Sequence, residues 1–386
     1  MSKILVSGGG VAGSMTAYWL ARYGFDTVVV EKSPSLRTGG QPVDVQGGAL
    51  TVLERMGALD AVRARHTDRR RMSMVDRYGQ VLTANDEDPS SLEILIDELI
   101  QIEHDHGEQA GVRYRFGDSI TTITQHPDHV EVGFEHAETE RFDLVIGADG
   151  VHSEVRALSF GPEARFARYL GCYLAFFGLD NYLGLSHEGM ACTDGIGAGV
   201  SVFTVHDQNA LRSGLIFKAA EQLPRHLSIQ QQKRFIADHV GDVGWEAANL
   251  LERLGTTDAL YFDAMTQIQL ASWSTGRVAL VGDAAYCAAP TSGRGTSQAL
   301  IGAYVLAGEL ATAATHSDAF ANFQRILADY VADNQQFGRT QIGFLFAPPT
   351  QELSDTNAAN LAQFNNDNPK EPNLKIYSSQ RPITTR

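Results

Sequence analysis

Three glycine-rich segments carry residues whose types and spacing suit one chemistry, the binding of a dinucleotide. Gly8-Gly9-Gly10-Val11-Ala12-Gly13 has the G-x-G-x-x-G spacing. Glycines there let the chain turn sharply and bring a helix N-terminus against a pyrophosphate, whose charge suits free N–H groups and the helix dipole. Glu31, followed by Lys32, ends the next apolar run, Thr27-Val28-Val29-Val30, where a carboxylate can accept hydrogen bonds from ribose hydroxyls. Asp143-Leu144-Val145-Ile146 leads into Gly147-Ala148-Asp149-Gly150 and Val151-His152-Ser153, a strand and a small-residue turn that suit a second contact with the same ligand. The third segment runs from Arg277-Val278-Ala279-Leu280-Val281 into Gly282-Asp283, then to Pro290 and Gly293-Arg294-Gly295-Thr296. Its acidic residue can bond a sugar or ribityl hydroxyl, and the helix that follows can stabilise negative charge on a bound ring. Singly these are turn signals; in this order they are hard to explain as packing.

Such segments need strands and helices to hold them. Residues 3 to 7 read as a buried strand, Met15 to Arg22 as a helix and Thr27 to Val30 as a second strand, the order of a parallel βαβ unit. Leu50, Leu53, Met56 and Leu59 predict a helix over Gly48 to Ala64, and Leu92, Leu95, Leu99 and Ile102 another over Ser91 to Glu103. Alternation between Val112 and Phe134 predicts antiparallel strands, and Phe142 to Ile146 a buried one. From Tyr169 to about Phe262, aromatic and β-branched runs predict a second, mostly antiparallel sheet with a helix around Gln230 to Val240. Arg277 to Val281 returns as a buried strand before a long helix, Ser297 to Thr312. Beyond Ala347 the chain turns polar and rich in Asn, Pro and Gln, suggesting a loosely packed tail or a short surface helix.

Composition narrows the partners. The chain has 386 residues, 43% of them hydrophobic, enough for a large core in about two domains, and a net charge of -15 with a pI near 5.2. That balance argues against nucleic acid and anionic membrane surfaces. Arg63, Arg65, Arg69, Arg70 and Arg71 read as a solvated helix face and its following loop. Three scattered cysteines, Cys172, Cys192 and Cys287, make neither a disulfide framework nor a thiolate metal cluster, which fits the reducing cytosol. Charges or glycines interrupt every apolar run before the length of a membrane span, and the opening apolar run lacks a signal-peptide pattern. His104 and His106 lie near a predicted helix end and are expected to be solvated; no metal is expected. No Gly-x-Ser-x-Gly elbow supports a hydrolase.

With these motifs in hand, the sequence resembles the flavoprotein monooxygenases of the para-hydroxybenzoate hydroxylase type, from Lys3 to about Leu310. A closer resemblance is to the tetracycline-inactivating monooxygenases, carried by Glu31-Lys32, Arg37-Thr38-Gly39-Gly40-Gln41, Asp44, Asn181-Tyr182-Leu183-Gly184-Leu185 and Tyr261-Phe262-Asp263-Ala264-Met265-Thr266-Gln267. The fold implied is α/β: a Rossmann-like FAD-binding domain of the GR2 type interleaved with a mostly antiparallel β-sheet substrate domain. On this reading residues 1–75, 90–168 and 266–330 bind FAD, 76–89 and 169–265 bind substrate, and 331–386 form a C-terminal helix and polar tail. The resemblance places Gly8, Gly10, Val11, Ala12, Gly13, Glu31 and Lys32 on the ADP half of FAD. Ile120, Asp149, Gly150, Gly282 and Asp283 join them as cofactor residues, and Pro290, Gly293, Gly295 and Thr296 would line the flavin ring. Arg37, Gln41 and Asp44 fall where side chains contact flavin or nicotinamide. Two departures stand out. Ile96 occupies the region where an arginine usually contacts FAD, and Arg294 replaces a usual glutamine.

The implied activity is an FAD-dependent monooxygenase that is reduced by NADPH or NADH and hydroxylates an aromatic or polyketide substrate with O2, through a C4a-hydroperoxyflavin. In such a reaction the cofactor carries the hard chemistry, so no catalytic side chain is singled out. Phe177, Phe203, Phe217 and Arg294 are the candidate substrate residues, with Phe176 and Tyr182 in the same apolar region. The expected assembly is a monomer or weak homodimer in the cytoplasm. Two alternatives share the motifs: a flavin-dependent reductase or other oxidoreductase of the same fold, and a non-catalytic polyketide-binding protein with weak FAD affinity. No Trp-x-Trp-x-Ile-Pro halogenase signature is present.

Overall fold

The computed structural model describes residues 2–86, 91–224, 227–347 and 371–378, with positions 350, 352, 355, 356 and 359. Lys3–Ser7 is the central strand of a six-stranded sheet, flanked in parallel by Asp26–Glu31 on one side and Leu144–Gly147 on the other. Arg113–Phe116 extends the sheet beyond Asp26–Glu31, and Val278–Leu280 extends it beyond Leu144–Gly147, both in parallel. Ile4, Leu5, Val6, Val29, Val145, Ile146 and Val278 to Leu280 have essentially no exposure, the near-continuous apolar pattern of parallel strands covered on both faces. The helix Val11–Arg22 packs against both Ile96–Gln109 and Gly295–Thr312 beside this sheet. Every residue from Ser297 to Ala311 is buried, so the last of these has no polar face and can exist only in the core.

A seven-stranded sheet interrupts that unit in sequence, in the order Tyr261–Ile268, Ala167–Asp180, Ala210–Lys218, Ala198–Thr204, Glu188–Thr193, Arg71–Val75, Val81–Asp86. All neighbours are antiparallel except Glu188–Thr193 with Arg71–Val75. The two sheets therefore form an interleaved α/β fold. Arg71–Val75 belongs to the second sheet, so the chain crosses over before residue 75. Ile229–Val240 and Ala247–Thr256 cover this sheet's outer face, where Ile236, Val240, Leu250 and Leu254 pack with Phe177 and Phe217.

Four predicted elements differ. Ser91 to Glu103 is not one helix: Leu92–Leu95 is a strand paired with Pro42–Val45, and the helix starts at Ile96. Strand pairing overrode a spacing that reads equally well as one helix face. The helix over Gly48 to Ala64 breaks at Gly57, which adopts φ +82° and separates Gly48–Met56 from Leu59–Ala64. Arg113–Phe116 is parallel in the first sheet, while Ile120–Gln125, Val130–Phe134 and Glu140–Phe142 form a separate antiparallel sheet. The helix expected from 331 starts at His316 and runs to Leu345. Within the polar tail, residues 371–378 dock on the core: Tyr377 is buried over Gly308, and its hydroxyl bonds Glu309 at 3.0 Å. Arg55 also donates to the carbonyls of Leu374 and Lys375, at 3.1 and 2.9 Å.

Arg156 ties two turns of the first unit together. It is fully buried and donates to the carbonyls of Ala284 (2.9 Å) and Val151 (2.5 Å) and to the Glu163 carboxylate (2.9 Å). Removing one member of a buried charge pair costs about 3–5 kcal/mol. Arg156→Met is therefore expected to lower the unfolding free energy by that order in urea denaturation. An unchanged midpoint would show that the guanidinium does not hold the turns.

Candidate active site

The parallel register brings the three motifs together. Ser7 pairs with Gly147 and with Val30, and Gly147 pairs with Leu280, so all three glycine turns leave the same edge of the sheet at its carboxyl ends. Close approach explains two of the glycines. A Cβ on Gly13 would stand 1.9 Å from the Gly8 carbonyl oxygen, and one on Gly8 2.6 Å from that of Ala148. Gly10 meets nothing within 4 Å and opens toward the cavity. It caps the helix Val11–Arg22 without a side-chain hydrogen bond, which leaves the first-turn N–H groups for a ligand. Glu31 accepts from the Gly9 N–H (2.7 Å) and the Ser33 N–H (2.8 Å), one on each carboxylate oxygen, and each oxygen keeps capacity for a hydroxyl.

These groups line a groove of about 1200 Å³ together with Gly8, Val11, Ala12, Lys32, Arg37, Ile120 and Asp149. Its length of exposed amide donors followed by an acceptor fits an extended dinucleotide. Asp283, Gly295, Thr296 and Ile96 stand at its far end and also border a second cavity of about 320 Å³. Gln41, Asp44, Pro290, Gly293 and Arg294 line this second cavity, facing an apolar wall of Leu174, Phe176, Ile216, Tyr261, Met265 and Leu345. Gly13, Gly150 and Gly282 border neither space; they shape the turns.

Three expected substrate residues are displaced from the cavity. Phe177 and Phe217 point to the opposite face of their sheet, against the outer helices, because side chains alternate along a strand. Their neighbours Phe176 and Ile216 take the wall. Phe203 is buried behind Phe176, ring centroids 6.4 Å apart, with the Arg69 guanidinium over its other neighbourhood at 5.2 Å. Tyr182 is also remote, its hydroxyl donating to Glu246 at 3.0 Å. Arg294 is buried beside Tyr330 of the long helix; burial pushes the Tyr330 phenol up to about 12 and the guanidinium opposes that rise. Sequence reading missed Ile96 as a wall residue of both spaces, and Thr266, a residue of the second cavity's wall whose buried hydroxyl has no partner. His104, expected in solvent, packs on Tyr114 at 4.2 Å.

The half-buried acids of the turns serve the frame. Asp149 accepts from Ser153 Oγ (2.5 Å) and the Val155 N–H (3.0 Å), holding the turn, and burial raises its carboxyl. Burial likewise raises Asp283 and pushes the Cys287 thiol well up, which disfavours its thiolate. His152 joins the walls of the two spaces: Nε2 lies 3.4 Å from Asp263, and Nδ1 3.1 Å from both oxygens of Glu163. These carboxylates, Asp263 first, raise its pKa from 6.5 to about 9.

A histidine pKa raised on folding contributes stability that is complete below the unfolded value and is lost as pH rises through the folded one. The window here is from 6.5 to about 9. Partial exposure of the ring screens the effect. Between pH 6.5 and 10 the melting temperature of the native chain is expected to fall more than that of His152→Gln. Parallel curves would remove His152 from that role.

Comparison with known proteins agrees with this geometry. The family described as FAD binding domain matches residues 1–163 and 249–340. A flavin-dependent monooxygenase of Legionella longbeachae is 40% identical over 343 residues, covering 87% of this chain and 87% of its own. An uncharacterized protein of Mycobacterium tuberculosis is 41% identical over 345 residues, covering 87% and 92%. The crystal structure of the tetracycline destructase Tet(51) matches with a TM-score of 0.89 and 34% identity, covering 98% of this chain and all of that one. The chain belongs to the FAD binding domain family and is an FAD-dependent monooxygenase with the fold of the tetracycline destructases.

Proposed function

We propose that this monooxygenase uses NADPH or NADH in the cytoplasm to hydroxylate a planar aromatic or polyketide substrate, with a tetracycline as the leading candidate and loss of antibiotic activity as the consequence. The observation that carries the reading is the junction of the two cavities, where Ile96, Asp283, Gly295 and Thr296 border both. A ring placed there by a dinucleotide in the groove faces the apolar wall across a space of about 320 Å³, within the size range of small-molecule sites.

When bound, FAD would supply the redox chemistry, taking a hydride from the nicotinamide and, with a proton, reducing O2 so that one oxygen atom enters the substrate and the other leaves as water. The chain supplies position and field. The uncapped first turn of Val11–Arg22 and Glu31 would hold the ADP half. Gly295 and Thr296 open the buried helix Gly295–Thr312, whose N-terminal dipole favours negative charge on the ring. Phe176, Ile216 and Met265 exclude water and offer a flat apolar face, while the unpartnered Thr266 hydroxyl lies just behind that wall and would reach a polar substrate group by a small movement of the side chain. Arg37 is exposed over the Tyr261 ring at 5.0 Å, a positive charge at the edge of the junction for the nicotinamide cofactor's phosphates.

Three measurements test this. Oxygen uptake and NADPH oxidation by the FAD-loaded protein are expected to rise on adding a tetracycline or a phenolic polyketide, with product gaining one oxygen atom by mass. Substrate-independent NADPH oxidation without oxygen insertion would instead identify a reductase, and neither activity a binder. Glu31→Ala is expected to weaken FAD binding by roughly 10- to 150-fold, the range for hydrogen bonds to charged groups of about 1.5–3 kcal/mol, read by flavin fluorescence titration. Phe176→Ala and Thr266→Val are expected to raise KM several-fold with a smaller change in kcat. Phe177→Ala is expected instead to cost about 3–5 kcal/mol of stability and leave KM in place.

A further inference from the structure

We propose that the tip of the hairpin joining Ile120–Gln125 to Val130–Phe134 binds one transition-metal dication of the zinc, nickel or copper class, held by His126, His129 and Glu131. Among the described residues these three form the group whose nitrogen and carboxylate ligand atoms all lie within 4.8 Å of one another. Metal bonds of about 2.0–2.1 Å in a tetrahedral site separate ligand atoms by about 3.4 Å, so side-chain movement of roughly an ångström closes the set.

The arrangement has the features of a built site. Asp128 Oδ1 lies 2.8 Å from His129 Nδ1. A proton held there leaves the lone pair on Nε2, the arrangement by which a carboxylate orients a metal-ligating histidine. That Nε2 is shielded from solvent and has no hydrogen-bond partner, a polar atom awaiting a ligand. The two imidazoles lie side by side, centroids 4.4 Å apart with 13° between their planes.

The backbone beneath them is fixed. The His126 N–H bonds the His129 carbonyl at 2.8 Å, closing the turn through Pro127. Arg277, buried at the start of the Val278–Leu280 strand, donates to the Pro127 carbonyl from Nε (3.0 Å) and Nη2 (2.6 Å), and its N–H donates to Gln125 Oε1 (2.7 Å). Thus the tip is clamped to the six-stranded sheet rather than free in solvent, which preorganises the ligands. Among the described residues the cation paired with Glu131 is Arg141, Nε at 4.0 Å, in an exposed pair of little strength. Two nitrogens and one carboxylate favour zinc-like ions over calcium or magnesium, which take oxygen ligands. Three protein ligands leave a position for water or an outside donor. Ile120, Thr121 and Glu135, at the other end of the hairpin, border the cofactor groove, so the metal site stands apart from the redox chemistry.

Calorimetric titration of the chelator-treated, FAD-loaded full chain with ZnCl2 and NiCl2 tests the proposal. One equivalent is expected to bind, with a rise in melting temperature. H129A and H126A are expected to abolish both effects while far-UV circular dichroism stays native. D128N is expected to weaken binding 10- to 100-fold, the usual cost of losing such a partner. No uptake by the native chain, or uptake that survives the H126A/H129A double variant, overturns the assignment.

Discussion

Everything in the site depends on the registered parallel pairing of Lys3–Ser7 between Asp26–Glu31 and Leu144–Gly147. Because these strands end level, the Gly8 turn, Glu31 and the Asp149 turn emerge at one edge, and Val278–Leu280 adds the Asp283 turn beside them. A slip of one residue would turn every side chain of a strand to the opposite face and carry its turn away from the others. Residues separated by more than two hundred positions are thereby held around one groove. The apolar, doubly covered strands are the cause, and the binding edge is their consequence.

Electrostatics reinforce that frame more than they perform chemistry. Asp149, Asp283 and Cys287 sit in surroundings that favour their neutral forms, and their hydrogen bonds are directed at the turns. His152 is the exception, held between two carboxylates that favour its charged form. A site of this kind leaves proton and electron traffic to the bound cofactor. It contributes shape, an apolar wall and a helix N-terminus that opens where the two cavities meet.

Much of this was legible in the sequence, because glycine spacing and buried strands report directly on backbone geometry. The groove-lining residues of all three motifs were readable as turn chemistry at strand ends. Side-chain direction in the second sheet was not. Phe176-Phe177 is an apolar doublet, and a doublet carries no phase; only the helices on the outer face decide which ring turns inward. Leu92–Leu95 was hidden for a related reason, since its spacing serves a helix until Pro42–Val45 arrives to pair with it. The docked segment 371–378 was illegible because a strap held by Tyr377 on Gly308 and by carbonyls on Arg55 has no periodicity to detect.

The alternation along Ala167–Asp180 and Ala210–Lys218 divides the labour of two strands between history and adaptation. Positions such as Phe177 and Phe217 are bound to the outer helices, so change there is filtered by folding. Leu174, Phe176 and Ile216 border the cavity and lean on fewer partners, Leu174 and Ile216 on the small cluster of Cys172, Met265 and Phe346 and Phe176 on Phe203 and Tyr261, so a new side chain at any of them first alters the shape presented to a visitor. Descendants of such a chain can exchange one guest for another through a few interleaved positions, and the half that carries the glycine turns need not register the change.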